Sequence, residues 1–166
     1  MPPPRRSLLP ALLVTGAALV YVWLSSDALP DVVASHFRGD GTANGYMLRA
    51  SYLRFTVILL AAVTVLFAIL PGLIVSSPGR PLRVPNADYW LAPQRRAETV
   101  AYLREHFGRL SPLLVGFLCA VHALVVRANE SVPPRLPARW FYGAIALLML
   151  ALGLWMRAFM VRFRRP

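Results

Sequence analysis

The chain has 166 residues, of which 57% are apolar and 15% are charged, with 18 basic side chains against seven acidic ones and a single cysteine. A water-soluble domain of this size has too little interior to bury several long apolar runs, whereas a bilayer accepts helices of about 17 to 25 apolar residues. The composition also excludes a disordered chain, a disulfide scaffold and a nucleic-acid-binding module. Four uncharged runs make up nearly half of the chain: Ser7–Ser26, Phe55–Gly79, Leu110–Val126 and Trp140–Met156.

The predicted fold is therefore an all-α polytopic membrane protein that forms one domain over residues 1–166. Backbone amides in hydrocarbon must find hydrogen-bond partners within their own segment, so each apolar run is expected to be a helix. An outer loop at 27–51 and a cytoplasmic loop at 76–109 connect these helices. The four transmembrane spans are placed at about 8–24, 55–75, 110–126 and 140–156.

Every basic residue is an arginine, and the distribution of these arginines predicts the orientation of the chain. Twelve lie at the two termini and in the 76–109 loop, and six lie on the other side. Because arginine resists translocation, both termini are predicted to be cytoplasmic. The N-terminal stretch also loosely resembles a secretory signal that ends at Ser26-Asp27-Ala28. Its apolar run exceeds the usual ~7–15 residues, so we expect the first span to be retained.

The outer loop is dense in turn-forming residues. Asn44-Gly45 is typical of a tight turn with positive φ, and Gly39 and Gly41 allow the backbone to fold closely. We therefore expect a compact, ordered cap over the outer end of the helices. Short strands are predicted at Val32–Phe37 and Tyr46–Leu48.

The same loop contains, in order, Leu29-Pro30, Val32, His36-Phe37, Gly41, Gly45-Tyr46 and Arg49. This order resembles the signature of a bacterial membrane family, domain of unknown function 1648. Proteins with this domain include SdpI-type immunity proteins, which protect a producing cell from its own secreted toxin. The resemblance implies an inner-membrane protein with an immunity or sensing role. The chain departs from the pattern at Asn44, where an Asp is common.

Two histidines are the main candidates for chemistry. His36 in the loop can change charge near neutral pH or bind a ligand, with Asp27, Asp31 or Asp40 as partners; holding the loop by one hydrogen bond is the alternative. His122 lies inside the third span, where an ionisable group is a functional candidate and an interhelical hydrogen bond is the alternative. We hypothesise that loop and helix meet in an outward-facing polar site. The ligand or loop-ordering candidates are His36, Phe37, Asp31, Asp40, Asn44, Gly45 and His122.

Two further groups of residues are predicted to make contacts. Small residues on the third span let another helix approach closely, namely Gly116, Cys119, Ala120 and Ala123. The stretch after Pro93 has apolar residues at near-helical spacing, which predicts an amphipathic helix on anionic lipid headgroups. A soluble protein partner docking on this loop is the alternative. The stretch 85–93 resembles a second recurrent element of short members of the same family. The predicted interfacial residues are Asp88, Tyr89, Trp90, Arg95 and Arg96.

No carboxylate pair, Ser/His/Asp trio, phosphate-binding glycine loop or metal-ligand spacing stands out, so no catalytic residue, cofactor or metal is predicted. We expect a non-catalytic inner-membrane protein whose outer loop senses a ligand or peptide and whose inner loop reports to a partner. A structural or accessory subunit of a larger membrane complex is the alternative, and a small transporter is a third. Transport has little support because no acidic residue lies inside a span. A homo-oligomer is left open.

Overall fold

The computed structural model describes residues 8–71, 73 and 82–164 of the chain. Within these residues, four helical segments are long and apolar enough to cross a membrane: Leu9–Ala28, Arg49–Ile69, Pro93–Asn129 and Ala138–Arg162. This confirms the predicted mostly helical, polytopic membrane fold. The elements in chain order are α1 (Leu9–Ser25), a 3-10 turn (Ser26–Ala28), β1 (Val32–Phe37), β2 (Ala43–Leu48), α2 (Arg49–Thr64) with a π-helical continuation (Val65–Ile69), α3 (Ala87–Trp90), α4 (Pro93–Gly108), α5 (Leu110–Asn129) and α6 (Ala138–Arg162).

The helices extend beyond the apolar cores from which they were predicted. The second begins at Arg49 rather than at Phe55, because β2 leads into it without a loop. Helix α5 continues to Asn129 and α6 to Arg162. Arginine is a good helix former, so the charged residues that end an uncharged run do not end the helix. The predicted end of the second span, Val75, lies outside the described residues.

Helices α1, α2 and α5 form the closely packed part of the bundle. Their shared core consists of the buried side chains of Ala18, Val22, Leu60 and Val115. Helix α6 contributes no buried side chain, although every residue in it is described, and it packs against α5 at the side of the bundle. The fold is therefore a three-helix core with a fourth spanning helix attached to one face.

Strands β1 and β2 form an antiparallel hairpin between α1 and α2. Val33 of β1 and Leu29, which precedes the strand, are buried and pack with Tyr52 of α2 and Val125 of α5. This confirms the predicted ordered cap, and β1 has the predicted bounds. Strand β2 begins at Ala43, earlier than the prediction, because the turn that precedes it lies elsewhere in the loop. We refer to this side of the bundle as the hairpin end.

The turn of the hairpin lies at residues 38–42, so the prediction of a turn at Asn44-Gly45 was wrong. Gly41 has the positive φ of 86°, and the N–H of Arg38 donates to the carbonyl of Thr42 at 2.8 Å. Asn44 and Gly45 lie in β2, with Gly45 opposite His36. A Cβ at Gly45 would lie 2.9 Å from the Cβ of His36. This glycine therefore permits close approach of the strands rather than a turn.

At the opposite end of the bundle, a cluster of aromatic side chains lies between α4 and the end of α6. The predicted amphipathic helix is present at Pro93–Gly108, and its buried Leu103 packs on Phe163. Trp155 stacks on His106 with 4.5 Å between ring centroids, and its indole N–H donates to the His106 carbonyl at 2.9 Å. The apolar side of this helix is thus covered by the end of α6.

Candidate functional site

Side chains of α5 and α2 hold the hairpin in place. The amide oxygen of Asn129 accepts the N–H of Ala34 at 2.8 Å, and its NH₂ group donates to the Ala34 carbonyl at 3.0 Å. At the start of α2, the guanidinium of Arg49 donates to the Leu29 carbonyl at 3.1 Å and forms an ion pair with Asp31 at 2.9 Å. Strand β1 is therefore held on α5, and the segment that leads into it is held on α2.

The tip of the hairpin is joined to the loop between α5 and α6 and to α6 itself. The Leu136 N–H donates to the Gly41 carbonyl at 2.8 Å, and the Tyr142 hydroxyl donates to the Gly39 carbonyl at 3.1 Å. A Cβ at Gly41 would collide with the Leu136 carbonyl, and the positive φ there also favours glycine. Both contacts make the tip part of a continuous structure with the fourth spanning helix.

Asp31 and Asp40 bond to other residues of the protein, and Asp27 is exposed, so none of the three pairs with His36. Asp40 accepts hydrogen bonds from the Thr42 N–H at 2.9 Å and the Thr42 hydroxyl at 2.7 Å, and these two bonds lower the pKa of the Asp40 carboxyl. Asp31 is engaged by Arg49. The imidazole of His36 instead has its Nδ1 3.0 Å from the Ser35 hydroxyl. The predicted partnership of His36 with these carboxylates was therefore wrong.

The seated hairpin leaves a cavity of about 270 Å³ between β1, α5 and α6, which we call the cap cavity. The hairpin contributes polar side chains and Phe37 to its lining, and the two helices contribute mainly apolar side chains. An amphiphilic pocket at the end of a helix bundle has the character of a small-ligand site. The residues that line it include Ser35, His36, Phe37, Arg38, Val125 and Phe141.

His122 lies in a separate polar chain within the bundle core. It is 2% exposed, with Nε2 2.8 Å from the Ser25 hydroxyl and Nδ1 2.9 Å from the Tyr52 hydroxyl. The Ser25 hydroxyl also lies 2.7 Å from the Tyr21 carbonyl. One assignment satisfies every group: Ser25 donates to that carbonyl, Nε2–H donates to Ser25, and Tyr52 donates to Nδ1. A neutral imidazole then joins α1, α2 and α5.

The loop and the third span do meet, but the two histidines do not. His36 lines the cap cavity, whereas His122 lies in the bundle core and bonds to Ser25 and Tyr52. No hydrogen bond or ring contact joins these two described imidazoles, so the hypothesised contact between them is not formed. The Ser25–His122–Tyr52 chain has hydroxyls on both ring nitrogens and no carboxylate, unlike a serine triad. No group of three or more His, Cys, Asp or Glu residues in the described ranges could hold a metal.

The predicted small-residue stripe is only partly packed. Cys119 contacts the core cluster that includes Ala18, whereas Gly116 and Ala120 are exposed and Ala123 is half-buried. No atom lies within 4 Å of a Cβ built at Gly116. One side of the stripe therefore packs in the bundle, and the other forms an open groove between α1 and α5.

Several of the predicted interfacial residues contact aromatic or basic side chains of this chain. The Arg95 guanidinium lies 3.8 Å from the Tyr89 ring centroid, and that of Arg162 lies 4.1 Å from the Trp90 ring centroid. Asp88 is exposed, and Arg96 is half-buried. Tyr89, Trp90 and Arg95 therefore stabilise the end of the bundle, whatever they contact beyond it.

Three residues with central contacts were missed in the sequence: Ser25, Tyr52 and Asn129. Asn129 begins an Asn-Glu-Ser sequence, and nothing in this sequence indicates that its amide pairs with a strand. A signal for Ser25 and Tyr52 is present in the sequence. Ser25 carries a hydroxyl near the end of the first span and Tyr52 carries one near the start of the second, on the same side of the membrane as His122. No protein-family model, curated protein or solved structure matches this chain significantly.

Proposed function

We propose that this protein is a non-catalytic sensor of the bacterial inner membrane whose hairpin end recognises a ligand or peptide, as in immunity-type signalling. The observation that carries this proposal is the cap cavity, an amphiphilic pocket with His36 on its hairpin side. The hairpin around it is joined to α5 through Asn129 and to α6 through Tyr142. A ligand that favours one position of the hairpin would therefore bias the packing of two spanning helices.

The proposed orientation puts the hairpin end outside the cell and both termini in the cytoplasm. The arginine distribution supports this, since twelve of the 18 arginines would remain inside. Helix α4 would then lie at the inner surface, close to anionic headgroups. Because Phe163 already covers Leu103, lipid or a protein partner would contact the exposed side of that helix. Reporter fusions at each terminus test this orientation, and an external signal from either one would contradict it.

Membership of the domain 1648 family is part of this proposal. The residues that carry the resemblance lie in the folded hairpin or directly beside it, and several of them contact one another. Leu29 is buried, Gly45 makes room for His36, and Arg49 binds the carbonyl of Leu29. A motif whose residues stabilise one small structure supports a family resemblance better than the same residues spread over the fold would.

The sensing role is tested by comparing the peptide tolerance of three strains: the parent, a deletion strain and a His36→Ala strain. Each is exposed to a panel of secreted antibacterial peptides. We expect the deletion and His36→Ala strains to be more sensitive to at least one peptide. An Asn44→Ala strain is the matched control, because Asn44 is an exposed residue of the same hairpin that does not line the cavity. Equal tolerance in all strains would contradict sensing.

A second candidate function is an accessory subunit of a larger membrane complex. The observation in its favour is the open groove between α1 and α5 that Ala120 lines, together with the open space at Gly116, which no other described helix of this chain fills. Small residues on an open helix face allow close approach of another transmembrane helix. Purification in mild detergent, followed by sizing and identification of co-purifying chains, distinguishes the two. A stable hetero-complex favours the subunit, and a lone protomer or homodimer favours the sensor.

A further inference from the structure

We propose that the cap cavity binds the C-terminal residue of a hydrophobic peptide, with Arg38 binding its carboxylate and the apolar wall holding its last side chain. This inference rests on the proposed function, because it names the ligand class for the same site. Capture of a chain-terminal carboxylate is one of the recurrent modes of peptide recognition.

The charge of the cavity favours an anionic group. Arg38 is exposed and makes no ion pair or side-chain hydrogen bond within the described part of the chain. Asp40 is influenced by the charge of Arg38 but lies beyond ion-pairing distance, and its carboxylate is already bonded to Thr42. No acidic residue among those that the structure describes lines the cavity. A free guanidinium beside hydrogen-bonding groups suits a carboxylate, which it can bind through two parallel N–H bonds.

The size and the apolar wall favour a single side chain. Val121 and Val125 of α5, together with Phe141 of α6, form the apolar part of the cavity lining. At about 30 Å³ for each water-sized group, a cavity of about 270 Å³ holds about nine such groups. That is enough for one large apolar residue with its carboxylate and too little for a two-chain lipid. Among ligands that combine one apolar group with a carboxylate, we assign the end of a peptide, because the proposed function is peptide sensing.

The test measures binding of two labelled peptides to the full chain in phosphatidylcholine nanodiscs by fluorescence anisotropy. One probe is fluorescein-Gly-Gly-Ala-Leu-Phe with a free carboxylate, and the other is the same peptide with a C-terminal amide. We expect the free acid to bind at least tenfold more tightly, and Arg38→Gln to remove that difference. Phe141→Leu should weaken both probes. Arg127→Gln is the matched control, because Arg127 is an exposed arginine at the same end that does not line the cavity.

Three outcomes would overturn this inference: equal affinity of acid and amide, a preference for the acid that survives Arg38→Gln, or no binding of either peptide. Sodium octanoate serves as a further probe. Binding of octanoate that depends on Arg38, without binding of the peptide acid, would assign the cavity to a lipid and also overturn it. None of these results decides the sensing role, which the tolerance experiment with His36→Ala tests separately. Thermal unfolding of Arg38→Gln confirms that this variant is folded.

Discussion

Asn129 pairs with Ala34 as a neighbouring strand would: its amide oxygen accepts the Ala34 N–H at 2.8 Å, and its NH₂ group donates to the Ala34 carbonyl at 3.0 Å. Ala34 is fully buried, so its backbone groups would otherwise lack partners in a place that water does not reach. One side chain thus provides hydrogen-bond partners for the edge of β1 that does not face β2. It also joins the hairpin to a helix 95 residues further along the chain.

We expect Asn129→Ala to lower the free energy of unfolding by about 2–6 kcal/mol, because two buried backbone groups would lose their partners at about 1–3 kcal/mol each. Thermal unfolding in mild detergent measures this loss. Asn44→Ala, at an exposed position in the same hairpin, should change stability by no more than about 0.5 kcal/mol. Equal losses in the two variants would show that the pairing does not hold the hairpin.

Double-mutant cycles should distinguish the two histidines. Tyr52→Phe and His122→Ala are expected to show a coupling energy of about 0.6–1.7 kcal/mol, as found for hydrogen bonds between membrane helices. His36→Ala and His122→Ala should be additive within about 0.5 kcal/mol, since these residues share no partner. Unfolding free energies of the single and double variants provide both cycles. Strong coupling between His36 and His122 would contradict the separate sets of partners that these two residues have.

Substitution of Gly41 by alanine should destabilise the protein by about 1–3 kcal/mol, because the site combines a positive φ with contact to the Leu136 carbonyl. Gly153→Ala is the control. That glycine lies in α6 with nothing within 4 Å of an added Cβ, so alanine should stabilise the helix by up to about 1 kcal/mol. Thermal unfolding of both variants measures the contrast. A Gly41→Ala protein as stable as the parent would place the turn elsewhere.

The turn at residues 38–42 should weaken in acid. Hydrogen bonds from Thr42 lower the pKa of Asp40 in the folded state, so its stabilising effect is present above the unfolded value of about 4 and is lost as pH falls through the lower folded pKa. Unfolding midpoints measured from pH 7 down to pH 3 should fall less for Asp40→Ala than for the parent. Parallel pH profiles for the two proteins would show that Asp40 does not contribute.

The spans, the amphipathic helix and the ordered cap could be predicted because each depends on local composition or spacing. The position of the hairpin turn could not. Asn44-Gly45 has the stronger local turn preference, but contact of Gly41 with Leu136 fixes the register from outside the hairpin. The partners of the histidines depend in the same way on helix packing. His122 meets Tyr52, 70 residues earlier in the chain, and no short-range pattern indicates that pairing.

The long sequence separation between Ala34 and Asn129 has a consequence for biogenesis. The ribosome finishes β1 well before it reaches the residue that will complete the edge of that strand. Until α5 has entered the bilayer, the nascent hairpin carries an unpaired edge, the feature that invites association with other strands. Maturation of this end of the protein is therefore a late event of membrane insertion. A chain that stalls after its second span would present that unfinished edge to the proteases and chaperones of quality control.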